Sequence, residues 1–241
     1  MPSSSTDNDS SLPTWGRYGD LRPHQIEAIR DRASVAFVPW GALEWHCLHV
    51  PIGLDNVKAE NICLAIAERT GGVVLPAIPL GVNTIKPFKG FAHSIDISER
   101  LAAQVAEEIC LQLADERFSV VIIMTGHYPQ EQIDALEEAV RRARLAAPET
   151  IFQVWADNRL LGDAFQGDHA GATETSFQLL FDPENVDTES LPNRPLTLDG
   201  DGVMGEDPRE ASAERGRRQL DVILKNAVPL VEGLLEKSRN V

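Results

Sequence analysis

Cysteine is scarce. The 241-residue chain has three, Cys47, Cys63 and Cys110, with no C-x-x-C pair. An odd, scattered set gives neither a disulfide framework nor a four-cysteine zinc module, and it fits a reducing, cytoplasmic setting. Positive charge is also short: 22 Lys+Arg face 37 Asp+Glu, a net charge of −15. That balance argues against nucleic acid or an anionic membrane as the main partner. No apolar run reaches the ~18 residues needed to span a bilayer. The opening MPSSSTDNDSSLP has no basic or apolar stretch, so it reads as neither a signal nor a transit peptide. Three signatures are missing too: a G-x-G-x-x-G opening a helix, G-x-x-x-x-G-K-[ST] and G-x-S-x-G. Their absence removes the phosphate loops of nucleotide binders and the serine nucleophile elbow.

What is present is an ordinary globular composition, 43% hydrophobic and 24% charged, long enough to bury a large core without staples. Residues 1–13, dominated by Ser, Asp and Asn, read as a disordered tail. Helical periodicity is expected over residues 21–32, over 56–70 with Asn56 as N-cap and Gly71 as stop, and over 98–117 from Ser98. It is expected again over 130–146, 173–181 and 210–236, the last with a kink or break near Pro229. Between these lie apolar, β-branched runs: ASVAFVPW, VVLPAIPL, SVVIIMTG and IFQVWAD. Strands alternating with helices predict an α/β fold, a three-layer α/β/α sandwich on a mostly parallel sheet. The Pro-, Gly- and Asp-rich stretch 182–209 reads as an irregular functional or interface loop.

Ligands of open α/β sheets bind beyond the carboxyl ends of the strands, and the unusual polar residues cluster there. Glu44, His46, His49 and Asp55 follow the first strand, His127 follows SVVIIMTG, and Asp168, His169 and Glu174 follow IFQVWAD. Imidazole and carboxylate without thiolate suit Zn²⁺, Mn²⁺ or Fe²⁺. Glu44 and His46, two apart, face one way in an extended loop, and Asp55 has two oxygens with which to bridge a pair of ions. Each residue also has an ordinary structural reading: a turn-packing His49, a carbonyl-bonded His127, a Glu174 favoured by a helix N-terminus. Their joint placement is what favours a metal site. Cys47, flanked by His46 and His49, is a weaker candidate as a nucleophile. Trp45 and Trp155 fall near the presumed cleft, as core aromatics or as walls.

These residues carry a resemblance. PWGALEWHCLHVPIGLD resembles the P-x-G-x-x-E-x-H-G-x-H-x-P-x-x-x-D motif of the creatininase (creatinine amidohydrolase) family, GHYPQ its G-H-G-G-N or G-H-Y-E-N, HAGATETS its H-A-G-x-x-E-T-S, and GVMGEDPREASAERG its closing motif. The resemblance implies one metallohydrolase domain over residues 14–241, two divalent ions per chain (Zn, Mn or Fe) and hydrolysis of an amide C–N bond. It implies that Glu44 binds one ion with His127, that His46 binds the other, and that Asp55 bridges. Glu174 is implied as a ligand and catalytic residue, and His169 as the proton shuttle. Trp45, His49, Tyr128 and Trp155 are the implied substrate contacts, and a homo-oligomer, a hexamer, is the implied assembly. There are departures. Cys47-Leu48 replaces Gly-Pro, and Pro129 stands where creatininase has a metal-binding Glu, so Glu174 or Glu131 must serve. The family's E-H before a F-P-G-T turn is missing from GVNTIKPFKGFAHS, leaving Lys86, Lys89 or His93 to face substrate. Creatinine is therefore not the expected substrate; a formamide or a peptide is an alternative, as is a metal-binding homologue without catalysis or an unrelated domain with structural histidines.

Overall fold

The computed structural model describes residues 12–239. Of the tail expected over 1–13, residues 1–11 lie outside the described residues. The chain runs β1 (Trp15–Arg17), α1 (Pro23–Arg32), β2 (Val35–Trp40), α2 (Leu54–Thr70), β3 (Gly72–Val74), α3 (Ile85–Lys89), α4 (Glu99–Asp115) and β4 (Val120–Thr125). It continues through α5 (Gln130–Ala146), β5 (Ile151–Ala156), α6 (Asp157–Leu161), α7 (Ala172–Phe181), α8 (Leu198–Asp201) and α9 (Ala213–Ser238). The five strands form one sheet in the order β1-β3-β2-β4-β5, every pairing parallel.

Strand side chains alternate between faces, and here both faces are covered. Ala36, Val38, Trp40, Val121 and Ile123 pack against α1, α4 and α5. Val35, Phe37, Val120, Ile122 and Met124 pack against α2, α7 and α9. β2 and β4 are wholly buried, which is why their sequences read as unbroken apolar runs. The expected three-layer sandwich is the architecture found.

Several local expectations are corrected. The run VVLPAIPL yields only the three-residue β3 and an isolated bridge at Ile78, because Pro76 and Pro79 lack the amide that a ladder needs. Asn56 does not cap α2; Gly53, three residues earlier, is the N-cap, and the Asn56 Nδ2–H donates to the Ala42 carbonyl at 2.8 Å. α9 continues unbroken past Pro229. The proline lies on the exposed side, where water can serve the carbonyl left without a donor. The stretch 182–209 is not irregular throughout: it holds α8 and short 3-10 turns at Pro183–Asn185 and Thr188–Ser190. Its Leu191 and Val203 are buried with Cys47 and Ala170. Among the described residues no helix is long and apolar enough to cross a membrane.

Candidate metal centre

Two glycines let α2 reach the carboxyl edge of the sheet. A Cβ on Gly41, just past β2, would stand 2.6 Å from the Asn56 nitrogen, and one on Gly126, just past β4, 2.5 Å from the Asp55 carbonyl oxygen. Without them the first turn of α2 rests on both strand ends and carries Asp55 inward. From the β2 side come Glu44 and His46, in a loop tied down by Glu44 N–H to the Ile52 carbonyl (2.9 Å) and Trp45 N–H to Ser94 Oγ (3.0 Å). From β4 comes His127. From the first turn of α7 comes Glu174. All five side chains are buried.

Hydrogen bonds fix which nitrogen of each histidine is free. A carbonyl only accepts, so the ring nitrogen facing one must carry the proton. His46 Nδ1 donates to the Glu44 carbonyl (3.1 Å), which leaves Nε2 toward Asp55 Oδ1 (3.5 Å) and Glu174 Oε2 (3.4 Å). His127 Nε2 donates to the Val82 carbonyl (3.0 Å), which leaves Nδ1 toward Glu44 Oε2 (2.8 Å) and Asp55 Oδ2 (3.5 Å). With both imidazoles neutral, as ligands must be, Glu44 Oε2, His46 Nε2 and Asp55 Oδ2 are all buried without a hydrogen-bond partner. Buried polar atoms are rarely left so, and three of them converge here.

Two sets of ligand atoms result, Glu44–Asp55–His127 and His46–Asp55–Glu174, each with its atoms within 4.8 Å of one another. Asp55 belongs to both. A third set, Glu44–His46–His169, overlaps them. The donor set is oxygen and imidazole, suited to Zn²⁺, Mn²⁺ or Fe²⁺. The orphaned lone pairs fit such ions.

The charges say the same. Burial pushes Glu44 up, but the His127 charge outweighs it and holds the carboxyl below its usual range. Burial likewise opposes ionisation of Asp55 and Glu174, yet His46 and Lys58 hold both well below it. Burial pulls His46 and His127 down, but Asp55 and Glu44 lift them, His127 to about 10. With no ion, protons on the two imidazoles supply the positive charge that the carboxylates demand.

The other expected site residues are placed as follows. His169 lies 4.4 Å from His46, centroid to centroid, and donates from Nε2 to the Trp45 carbonyl (2.9 Å). Burial, then the His46 charge, holds its pKa below the usual value. Tyr128 lines the cavity, its hydroxyl donating to the Asp168 carbonyl (2.6 Å) with Glu174 Oε1 at 3.2 Å. Trp45 donates to the Asp201 carbonyl and stacks on Phe91, and His49 Nε2 sits 2.8 Å from Thr175 Oγ1; neither lines the cavity. Trp155 packs into the core on the α2 side. Glu131 is exposed on α5 and, among the described residues, belongs to none of the candidate ligand sets. Asp168 accepts from the Thr173 and Glu174 amides at the start of α7. Cys47 is packed with Ala170, Leu191 and Val203, and burial raises its pKa, which disfavours a thiolate nucleophile.

Lys58 and Asp157 were not expected. Lys58, buried one turn after Asp55, places Nζ 2.6 Å from Glu174 Oε1, 3.2 Å from Asp157 Oδ2 and 3.8 Å from Asp55 Oδ1. A signal existed: positions 55, 58, 59, 62 and 66 form the inward stripe of α2, and a lysine in such a stripe needs buried partners.

Sequence comparison finds that the profile of the creatininase family, described as creatinine amidohydrolase, matches residues 19–231. A creatinine amidohydrolase of Pseudomonas putida is 24% identical over 86% of this chain and 92% of its own length. A mycofactocin precursor peptide peptidase of Mycobacterium ulcerans (strain Agy99) is 27% identical over 86% and 87%. A crystal structure of creatininase superposes with a TM-score of 0.77 at 22% identity, covering 89% of this chain and 96% of that one. A creatininase described as its Mn form and a mutant described as Zn-Zn type each superpose with a TM-score of 0.74 at 22% identity, each covering 90% and 97%.

Proposed function

The chain belongs to the creatininase family of amidohydrolases, and from that premise we propose that it hydrolyses a C–N bond of a small amide, cyclic or open, using two divalent ions per chain. The observation that carries this is the pair of ligand sets sharing Asp55, with their lone pairs left unpartnered. Glu44, Asp55 and His127 would hold one ion; His46, Asp55 and Glu174 the other. Glu174, not Glu131, replaces the ligand lost at Pro129. Divalent ions in such a site polarise a carbonyl and lower the pKa of water.

The chain's own groups do the rest. His169, neutral and fixed by its Nε2–H bond to Trp45, keeps Nδ1 as the nitrogen open to a proton, so it can take one and pass it to the departing amine. Lys58 donates to Glu174 Oε1 and the Ala170 amide to Oε2, which together hold the second oxygen toward His46. Trp45 and His49, bonded through Asp201 and Thr175, act as supports of the cleft wall.

The likeness to a peptide peptidase supports a second reading, in which the amide is the bond of a short peptide. The homo-oligomer, a hexamer, rests on the family resemblance alone, since Leu191 and Val203 pack within the chain itself. Sedimentation above the 26.5 kDa of one chain would support it, and a monomer at micromolar concentration would refute it.

Metal analysis and a hydrolysis screen test the function together. About two equivalents of Zn, Mn or Fe per chain are expected, with turnover of a cyclic ureide, lactam, formamide or short peptide. Asp55→Ala should lose both ions; losing one would contradict the bridge. His169→Ala should lower kcat/KM by about tenfold or more. Full metallation with no C–N turnover would leave a metal-binding homologue without catalysis.

A further inference from the structure

The cavity above the ligand cluster, about 270 Å³, has two unlike halves. Its floor is the ionisable set. The rest of the lining is Asn83 and the apolar Ile85, Phe88, Pro129, Leu198 and Met204, of which the exposed Phe88 and Met204 form the mouth. Phe88 and Met204 are 61% and 48% exposed there, although large apolar side chains bordering one pocket are costly to leave bare. Met204 is held at that spot by its backbone, which exchanges two hydrogen bonds with His169 (2.9 and 3.0 Å). An apolar wall is thus fixed to the same bridge as the histidine proposed to shuttle protons.

Among the described residues, no lysine or arginine lines the cavity. The two lysines flanking Phe88, which the sequence left free to meet a substrate carboxylate, are engaged elsewhere. Lys86 Nζ donates to the Ser94 carbonyl (3.3 Å), and Lys89 Nζ pairs with Asp199 Oδ1 (2.6 Å). Lys58 is paired with Glu174 and Asp157. His93 is exposed and outside the cavity. The one ammonium near the mouth, Lys89 Nζ at 4.9 Å from the Phe88 ring centroid, is already neutralised by Asp199, so an anionic group there would have to displace that carboxylate and lose its own hydration.

We infer that the substrate is a neutral amide bearing an apolar group next to the scissile bond, and that Phe88 and Met204 select it by packing on that group. This rests on the amidohydrolase reading and deepens it.

The test uses matched hydroxamates, which chelate divalent ions, so that binding reports the mouth even without turnover. One series carries a benzyl or butyl group; the others carry a carboxylate or an ammonium at the same length. Calorimetry on the metal-loaded full chain should show the apolar probes binding about tenfold tighter or more. Phe88→Ala and Met204→Ala should erase most of that difference, and the corresponding amides should follow the same order in KM. Tighter binding of a charged probe, or selectivity unchanged in both variants, overturns the inference. So does a Phe88→Ala chain that changes sedimentation but not selectivity, since a second copy would then own the mouth. Apolar selectivity with no amide turnover leaves this inference standing and overturns the amidohydrolase reading. Turnover with reversed preference does the opposite, and no binding by any hydroxamate overturns both.

Discussion

Lys58 shows how one buried charge is kept. Its ammonium has Glu174 and Asp157 as partners in a water-poor layer. Lys58→Met would leave both carboxylates without their cation. Breaking a buried pair from one side costs about 3–5 kcal/mol, so urea unfolding of the metal-free variant should show a loss of that order; a loss under 1 kcal/mol would mean the carboxylates find other partners. His49 is the opposite case, a histidine kept neutral. Burial, then the His46 charge, pulls its pKa from 6.5 to about 4. The unfolded chain therefore takes up a proton between those values that the folded chain refuses. The stability His49 contributes is complete above pH 6.5 and is lost as pH falls through about 4, a change of ~3 kcal/mol. His49→Gln, which does not titrate, should flatten the pH dependence of denaturant midpoints across that window; an unaltered slope would assign it to other groups. The candidate ligands were legible because each stands just past a strand or in the first turn of a helix, with a residue type suited to a cation. Lys58 was not, since its partners lie more than 90 positions away in sequence and only the fold brings them to α2.

At the scale of elements, the seating of α2 on the strand ends decides where Asp55 points. Gly126→Ala would press a methyl group onto the Asp55 carbonyl oxygen, 2.5 Å away, and the helix must move. Overpacking of this kind costs about 1–3 kcal/mol. Thermal unfolding should fall accordingly, and metal titration should weaken with it; unchanged metal affinity would show that the helix can shift without carrying Asp55 off. The sequence foretold the long elements well: the 3.6-residue period of α4 and α5 and the apolar runs of β2 and β4 coincide with what forms. It misjudged those set by tertiary contact. Asn56 has the chemistry of a cap, yet the close approach at Gly41 draws it into the helix. Pro229 has the chemistry of a breaker, yet it falls on the outer side of a helix whose inner side, Ala227 and Val231, is anchored in the core. The short β1, α3 and α6 carry no periodic signal at all.

For the whole molecule, a bound ion is also a stabiliser, because it binds the folded chain and not the unfolded one. At free metal one hundred times the dissociation constant the gain is about 2.7 kcal/mol per site. Chelation should therefore lower the melting temperature, and adding Zn²⁺ or Mn²⁺ should restore it in wild type but not in Asp55→Ala; identical melting with and without chelator would argue against a site of useful affinity. The sandwich followed from the alternation of strands and helices, but the strand order did not, because crossovers that skip a neighbour leave no mark on local sequence. That order has a consequence in time. The donors of the cluster come from four separate stretches, from residue 44 to residue 174, so the unfolded chain offers an ion little beyond Glu44 and His46. The cage closes only when α2, β4 and α7 have all docked. If that docking follows the rate-limiting step, an ion held there does little to hasten folding and chiefly lengthens the lifetime of the folded chain, and unfolding rates with and without metal would read this out.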